Sequence, residues 1–119
     1  WLFLHVMYNP SADVLAWADS VLKAHPQRTA VITTHSYMFA SGGRTPEGTT
    51  IWNELVVPND NVQLVLCGHE SGEARRTDYV GTRAVHQVLA DYQSRANGGD
   101  GWLRILRFEP TRGQVFVET

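Results

Sequence analysis

Thr29-Ala-Val-Ile-Thr-Thr-His35 and Val62-Gln-Leu-Val-Leu-Cys-Gly-His69 are the two stretches on which the fold is read. Both are short runs rich in apolar and β-branched residues, the composition of buried strands. Both run into a histidine. His35 directly follows the first strand, and His69 follows the second across Gly68, which lets the backbone turn sharply. Between them lie a loop marked by Gly42, Gly43, Pro46 and Gly48, and a helical stretch, Thr50 to Val56, with Ile51, Trp52 and Leu55 on one face. If the two strands are parallel neighbours, both imidazoles emerge on one sheet edge, outside the carboxyl ends where open α/β sheets bind ligands. Neutral imidazole is a ligand for zinc, iron and nickel. A lone histidine at a strand end is commonly a hydrogen-bonded loop residue, and it is the pairing that favours a site.

Outward from this pair, Leu2 to Tyr8 is an apolar run closed by Asn9-Pro10, again a buried strand. Ser11 offers an N-cap and Asp13 adds negative charge to the first turn of a helix that Pro26 ends. Val14, Leu15, Trp17, Ala18, Val21 and Leu22 form its apolar stripe. Past His69 the pattern changes. Arg75 to Val80, Ala84 to Tyr92, Trp102 to Phe108 and Gln114 to Glu118 read as strands, separated by turns at Gly81-Thr82, Asn97 to Gly101 and Pro110 to Gly113. The expected fold is α/β, a short βαβαβ part followed by an antiparallel meander, in one domain over residues 1–119. In the Ala84 strand, Val85, Gln87 and Leu89 share one face and His86, Val88 and Ala90 the other. His86 is then either a satisfied strand histidine or a cleft-facing proton donor. His5 has the same two readings, and His25 at a helix end is expected to be exposed.

The 119 residues, 43% of them hydrophobic, suffice for one core. Charged residues make up 18% and the net charge is −2, so no basic face marks a nucleic-acid binder. Arg75, Arg76 and Arg83 are interleaved with Glu73 and Asp78, a mixed polar surface. Leu2 to Tyr8 is too short to span a membrane and lacks the flanks of a signal peptide. Neither a nucleic acid nor a membrane is therefore expected as partner. Cys67 is the one cysteine, which excludes an intrachain disulfide and allows a reducing compartment, with a cytoplasmic location expected if the chain is complete. The chain opens on Trp1 and is expected to be cut from something longer, processed or incomplete at its front. Trp1, Trp17, Trp52 and Trp102 read as core or interface residues.

Val31-Ile-Thr-Thr-His-Ser-Tyr37 resembles the block of calcineurin-like metallophosphoesterases in which a histidine closes a strand and binds metal. Leu66-Cys-Gly-His-Glu-Ser-Gly72 resembles the family's last metal block, Gly-His-x-His. The flanks agree: Trp1 to Leu4, the helix ending at Ala24-His-Pro26, Val85 to Gln93 and Gly98 to Arg104 are similar to what surrounds these blocks in bacterial members. The resemblance runs through nearly the whole chain and is to the C-terminal half of the family's domain. It implies half of a four-layer α/β/β/α sandwich, with His35 and His69 as ligands of a divalent transition metal such as zinc, iron or manganese. It further implies hydrolysis of small phosphomonoesters or phosphodiesters at a two-metal centre that polarises phosphoryl oxygens and acidifies water.

The family's earlier blocks, Asp-x-His, Gly-Asp and Gly-Asn-His, are not in the chain, and Ser71 stands where the last block has its second histidine. Two of the usual ligands remain. Another segment of a longer protein, or a second copy in a homodimer, would then complete the site, or a single metal or none would serve. In the metal-free version one imidazole is general base and another acid, with His86 a candidate beside His35 and His69. Glu70 is a candidate oxygen ligand or base. The expected activity is that of a phosphodiesterase, completed by dimerisation. The alternative is an inactive fragment that serves as a folding and association module. An apolar sheet face left without its covering layer argues for association in either case.

Overall fold

The three apolar runs become β1 (Leu2–Val6), β2 (Ala30–Thr34) and β3 (Val62–Cys67), and in the computed structural model, which describes residues 1–119, they are parallel neighbours. A parallel pair needs a crossover, and each has a helical one. α1 (Ala12–Ala24) joins β1 to β2; the Ser11 hydroxyl caps it by accepting from the Val14 amide, and Asp13 faces the positive end of its dipole. Leu15, Ala18 and Leu22 are buried against the sheet, but Trp17 is 54% exposed, so the apolar stripe is narrower than the spacing implied. α2 (Pro46–Ile51) runs into a π-helical turn over Trp52–Val56 and joins β2 to β3. It starts four residues before the expected Thr50, because Thr45 caps the Gly48 amide and Pro46 is preset for a first turn. A Cβ at Gly48 would lie 1.9 Å from the Tyr37 carbonyl oxygen, so only glycine lets this helix lie directly on the backbone that follows β2.

Both crossovers cover the same face of the sheet. Leu4, Val6, Ile32 and Val65 meet Leu15 and Leu22 of α1 and Ile51, Leu55 and Val56 of the second helix in one core. No helix is long and apolar enough to cross a membrane.

The expected antiparallel meander forms only as two separate hairpins, the second of them the one expected at the chain's end. β4 (Gly72–Val80) and β5 (Arg83–Asp91) make a hairpin, and β5 then inserts beside β3, parallel to it, giving the order β1-β2-β3-β5-β4 in one mixed sheet. The reason is burial. Val85, Gln87 and Leu89 are fully buried on the helix side while Val88 and Ala90 are half-buried on the other, so β5 suits an inner position. β4, with Arg75, Arg76, Thr77 and Asp78 at its middle, suits the edge. β6 (Ile105–Glu109) and β7 (Gln114–Glu118) form a separate antiparallel ribbon. The strand expected from Trp102 begins only at Ile105, because the short turn α3 (Ala96–Gly99) and Asp100-Gly101 hold a run of left-handed φ values that folds the chain back. The ribbon lies across the face opposite the helices: Phe108 packs edge-on to Trp1 and Phe3, with ring centres 5.0 and 5.3 Å away.

Candidate histidine site at the strand ends

The parallel order brings the carboxyl ends of β1, β2, β3 and β5 to one edge of the sheet. His35 follows Thr34 at the end of β2, and His69 follows Cys67-Gly68 at the end of β3. Their ring centres are 4.6 Å apart and the rings are tilted by 45°. The Gly68 amide donates to the His35 carbonyl at 3.0 Å, so the two histidine-bearing turns are tied one step beyond the strands. His69 holds a left-handed φ of 66°, and the Glu70 amide donates to the Gly68 carbonyl at 2.8 Å, closing the turn around it.

A third ring joins them. The apolar run places Tyr8 inside the first strand, but β1 ends at Val6, and Tyr8 stands with its ring centre 5.3 Å from His35, edge-on, and 5.8 Å from His69. Asn9, at a φ of 49°, then Pro10 and the N-cap Ser11 turn the chain into α1 immediately behind it. Tyr8 occupies the same context as the two histidines, an aromatic at the end of a parallel strand, and the Asn9-Pro10 breaker is the signal that could have found it.

His86 is not brought to this group. It pairs with Leu64 and Thr77, three residues before Leu89, which pairs with Cys67 at the end of the ladder. That is about 10 Å of strand. It lies on the sheet face under the ribbon, lining a groove with Leu64, Val88, Leu106 and Val117. Its Nδ1 shares a hydrogen bond of 2.9 Å with the Thr77 hydroxyl, and His5 is likewise held by Thr33. Both rings thus have a threonine hydroxyl as partner, and His86 also faces the groove under the ribbon. The rings of His35 and His69, both exposed, make no hydrogen bond within the chain.

The segment between His35 and α2, expected as a loop, is one, and it is pinned. Tyr37 and Met38 are fully buried, Thr45 donates its amide to the Tyr37 carbonyl, and Met38 bridges to Arg44. The Tyr37 hydroxyl donates to Gln87 at 3.1 Å, Arg44 bonds Gln87 and Asp78, and Arg76 and Gln87 also bond Asp78. Arg44 stacks over Trp52, its guanidinium 3.7 Å from the ring centre. Burial pushes the Tyr37 phenol up to about 12 against the opposing hydrogen bond from Arg44. Burial would raise the Asp78 carboxyl, but hydrogen bonds from Arg76 and Gln87 and the charges of Arg44 and Arg76 outweigh it and hold it below its ordinary value. Cys67, two residues before His69, is pushed up to about 11 by burial, with the Met38 backbone opposing and Glu70 adding. Arg83 donates to the carbonyls of Val56, at the end of the π-helical turn, and Val62, at the start of β3.

Two imidazoles this close can reach one ion through metal–nitrogen bonds of about 2.0–2.1 Å. Imidazole pairs suit zinc, iron, copper or nickel, and these two are a partial set, since no group of three or more His, Cys, Asp or Glu side chains in the chain is placed to hold a metal.

The fold and site thus define a mixed α/β sheet with a pair of exposed histidines at its parallel strand ends. No family model matches the chain, and no solved structure matches it. The uncharacterized protein YvnB of Bacillus subtilis (strain 168) is 40% identical to it over 126 aligned positions. The match takes in 100% of this chain and 10% of YvnB, so the chain spans about a tenth of that relative's length.

Proposed function

We propose that the chain contributes a half-site to a phosphoester hydrolase of the calcineurin-like metallophosphoesterase type, acting on phosphodiesters. The observation that carries this reading is the convergence of His35 and His69, rings 4.6 Å apart, at the carboxyl ends of adjacent parallel strands, in the two sequence blocks that resemble that family. His35 and His69 would hold a divalent zinc, iron or manganese ion. Such an ion supplies Lewis acidity toward a phosphoryl oxygen and acidifies a water. The chain's own part is to present two ring nitrogens from turns fixed by the Gly68–His35 hydrogen bond, and to hold the His35 turn still through the Tyr37–Gln87–Asp78–Arg44 network. The ribbon laid across the open sheet face supports the half-sandwich reading, as a second layer begun by β6 and β7.

The other ligands come from outside these residues, from a further segment of a longer protein or from a second copy in a homodimer. A relative ten times as long as the aligned region favours the first source. The second reading, an inactive association module, is favoured by the lack of a third metal donor in the chain.

The test is elemental analysis, light scattering and hydrolysis of bis(p-nitrophenyl) phosphate on the purified chain and on the His35→Ala, His69→Ala double variant. The expected result is bound zinc, iron or manganese and measurable hydrolysis, both lost in the double variant. A metal-loaded homodimer that loses its metal on dilution to the monomer identifies the second copy as the source of the missing ligands. A metal-free, inactive chain is set beside the longer protein that carries it: metal and hydrolysis there, lost in its His35→Ala, His69→Ala variant, assign the missing ligands to the further segment, and their absence there leaves the association module.

A further inference from the structure

We infer that Tyr8 is a substrate-binding residue of this site, its hydroxyl donating a hydrogen bond to a non-bridging oxygen of the phosphoryl group held between His35 and His69. The inference rests on the phosphoester reading above and adds a residue to it.

Four observations carry it. The Tyr8 ring closes a triangle with the two imidazoles, at 5.3 and 5.8 Å against their own 4.6 Å. It comes from a third strand end, β1, next to β2 in the ladder, with Val6 opposite Thr34. The chain is fixed behind it by the left-handed Asn9, Pro10 and the capped start of α1, so the ring is placed by the fold rather than left on a free end. It is also 54% exposed, at the one edge where a ligand reaches both histidines, and its hydroxyl has no partner within the chain.

The donor set points to the ligand's chemistry. The cluster holds two imidazoles and a phenol, with Glu70 the carboxylate that follows His69 in its turn. Imidazole nitrogens can take the metal, whereas a phenol offers an O–H donor whose natural acceptor is an anionic oxygen. A donor fixed in place before the substrate arrives costs nothing to reorganise when charge builds on the phosphoryl oxygens. The hydroxyl therefore recognises phosphate esters and free phosphate alike, through the oxygens they share.

Tyr8→Phe removes the oxygen and keeps the ring. Inorganic phosphate is titrated calorimetrically into the metal-loaded chain, the Tyr8→Phe variant and the His35→Ala, His69→Ala variant, with a melting curve for each. The expected result is phosphate affinity about ten- to a hundredfold lower in Tyr8→Phe, the loss of one hydrogen bond to a charged group, at an unchanged metal content and melting temperature. Undiminished affinity in Tyr8→Phe, with affinity lost in the double variant, overturns the assignment of Tyr8 and leaves the histidine site standing. Phosphate binding that survives the double variant, or is absent from the unaltered chain, overturns both.

Discussion

His69 pays for its position in backbone conformation. Its φ of 66° places an ordinary L-residue in the left-handed region, at a cost of roughly 1–2 kcal/mol that glycine escapes. Sequences keep such strain where a side chain is wanted at the tip of a turn. His35 reaches the same edge from the end of β2 with no such φ. Comparing two replacements isolates the strain. His69→Gly relieves it and His69→Ala keeps it, so by urea denaturation the glycine variant is expected to be more stable than the alanine variant by about 1 kcal/mol, while both lose the ring. Equal stability would mean the turn is not held in that conformation.

Among the elements, the helix-side network between β4, β5 and the segment after β2 has the clearest consequence. Asp78 accepts from Arg44, Arg76 and Gln87, and Arg44 and Gln87 hold the Tyr37 phenol in the core. The Asp78 carboxyl lies below its ordinary value of 3.8 in the folded chain. A lowered carboxyl favours the folded state while it is ionised. The stabilisation is therefore present above the ordinary value and is lost as the pH falls through the folded one. Asp78→Asn is expected to cost about 1–3 kcal/mol at pH 7. The gap from the unaltered chain should narrow below pH 3.8, as followed by thermal melts across pH. A gap independent of pH would show that the charge of Asp78 is not what fastens the segment.

For the molecule as a whole, the sheet has one face under two helices and the other under a two-stranded ribbon alone. A two-stranded ribbon is marginal by itself, so its place depends on what it touches. Phe108 is its anchor, edge-on to Trp1 and Phe3. Phe108→Ala is expected to release the ribbon by about 1–3 kcal/mol, seen as faster amide exchange over β6 and β7, with the helix-side core unchanged. Uniform loss of protection through β1, β2 and β3 would instead show that ribbon and sheet unfold as one unit.

Local patterning by itself determined the elements on which the site stands: three apolar runs, the Ser11 cap, Pro26 as a stop, and a histidine after each of two strands. Those signals are short-range, since composition and periodicity fix where a strand begins and which residue stands just past its end. Tertiary structure decided the rest. The insertion of β5 beside β3 depends on two faces being buried at once, which no single strand's alternation states. The separation of His86 from His35 and His69 depends on register, and a residue in mid-strand cannot be told from one near the strand end until its partners are known. Tyr8 joined the histidines because β1 is the neighbour of β2 and ends two residues earlier than its apolar run, a matter of which strands share an edge rather than of what Tyr8 is.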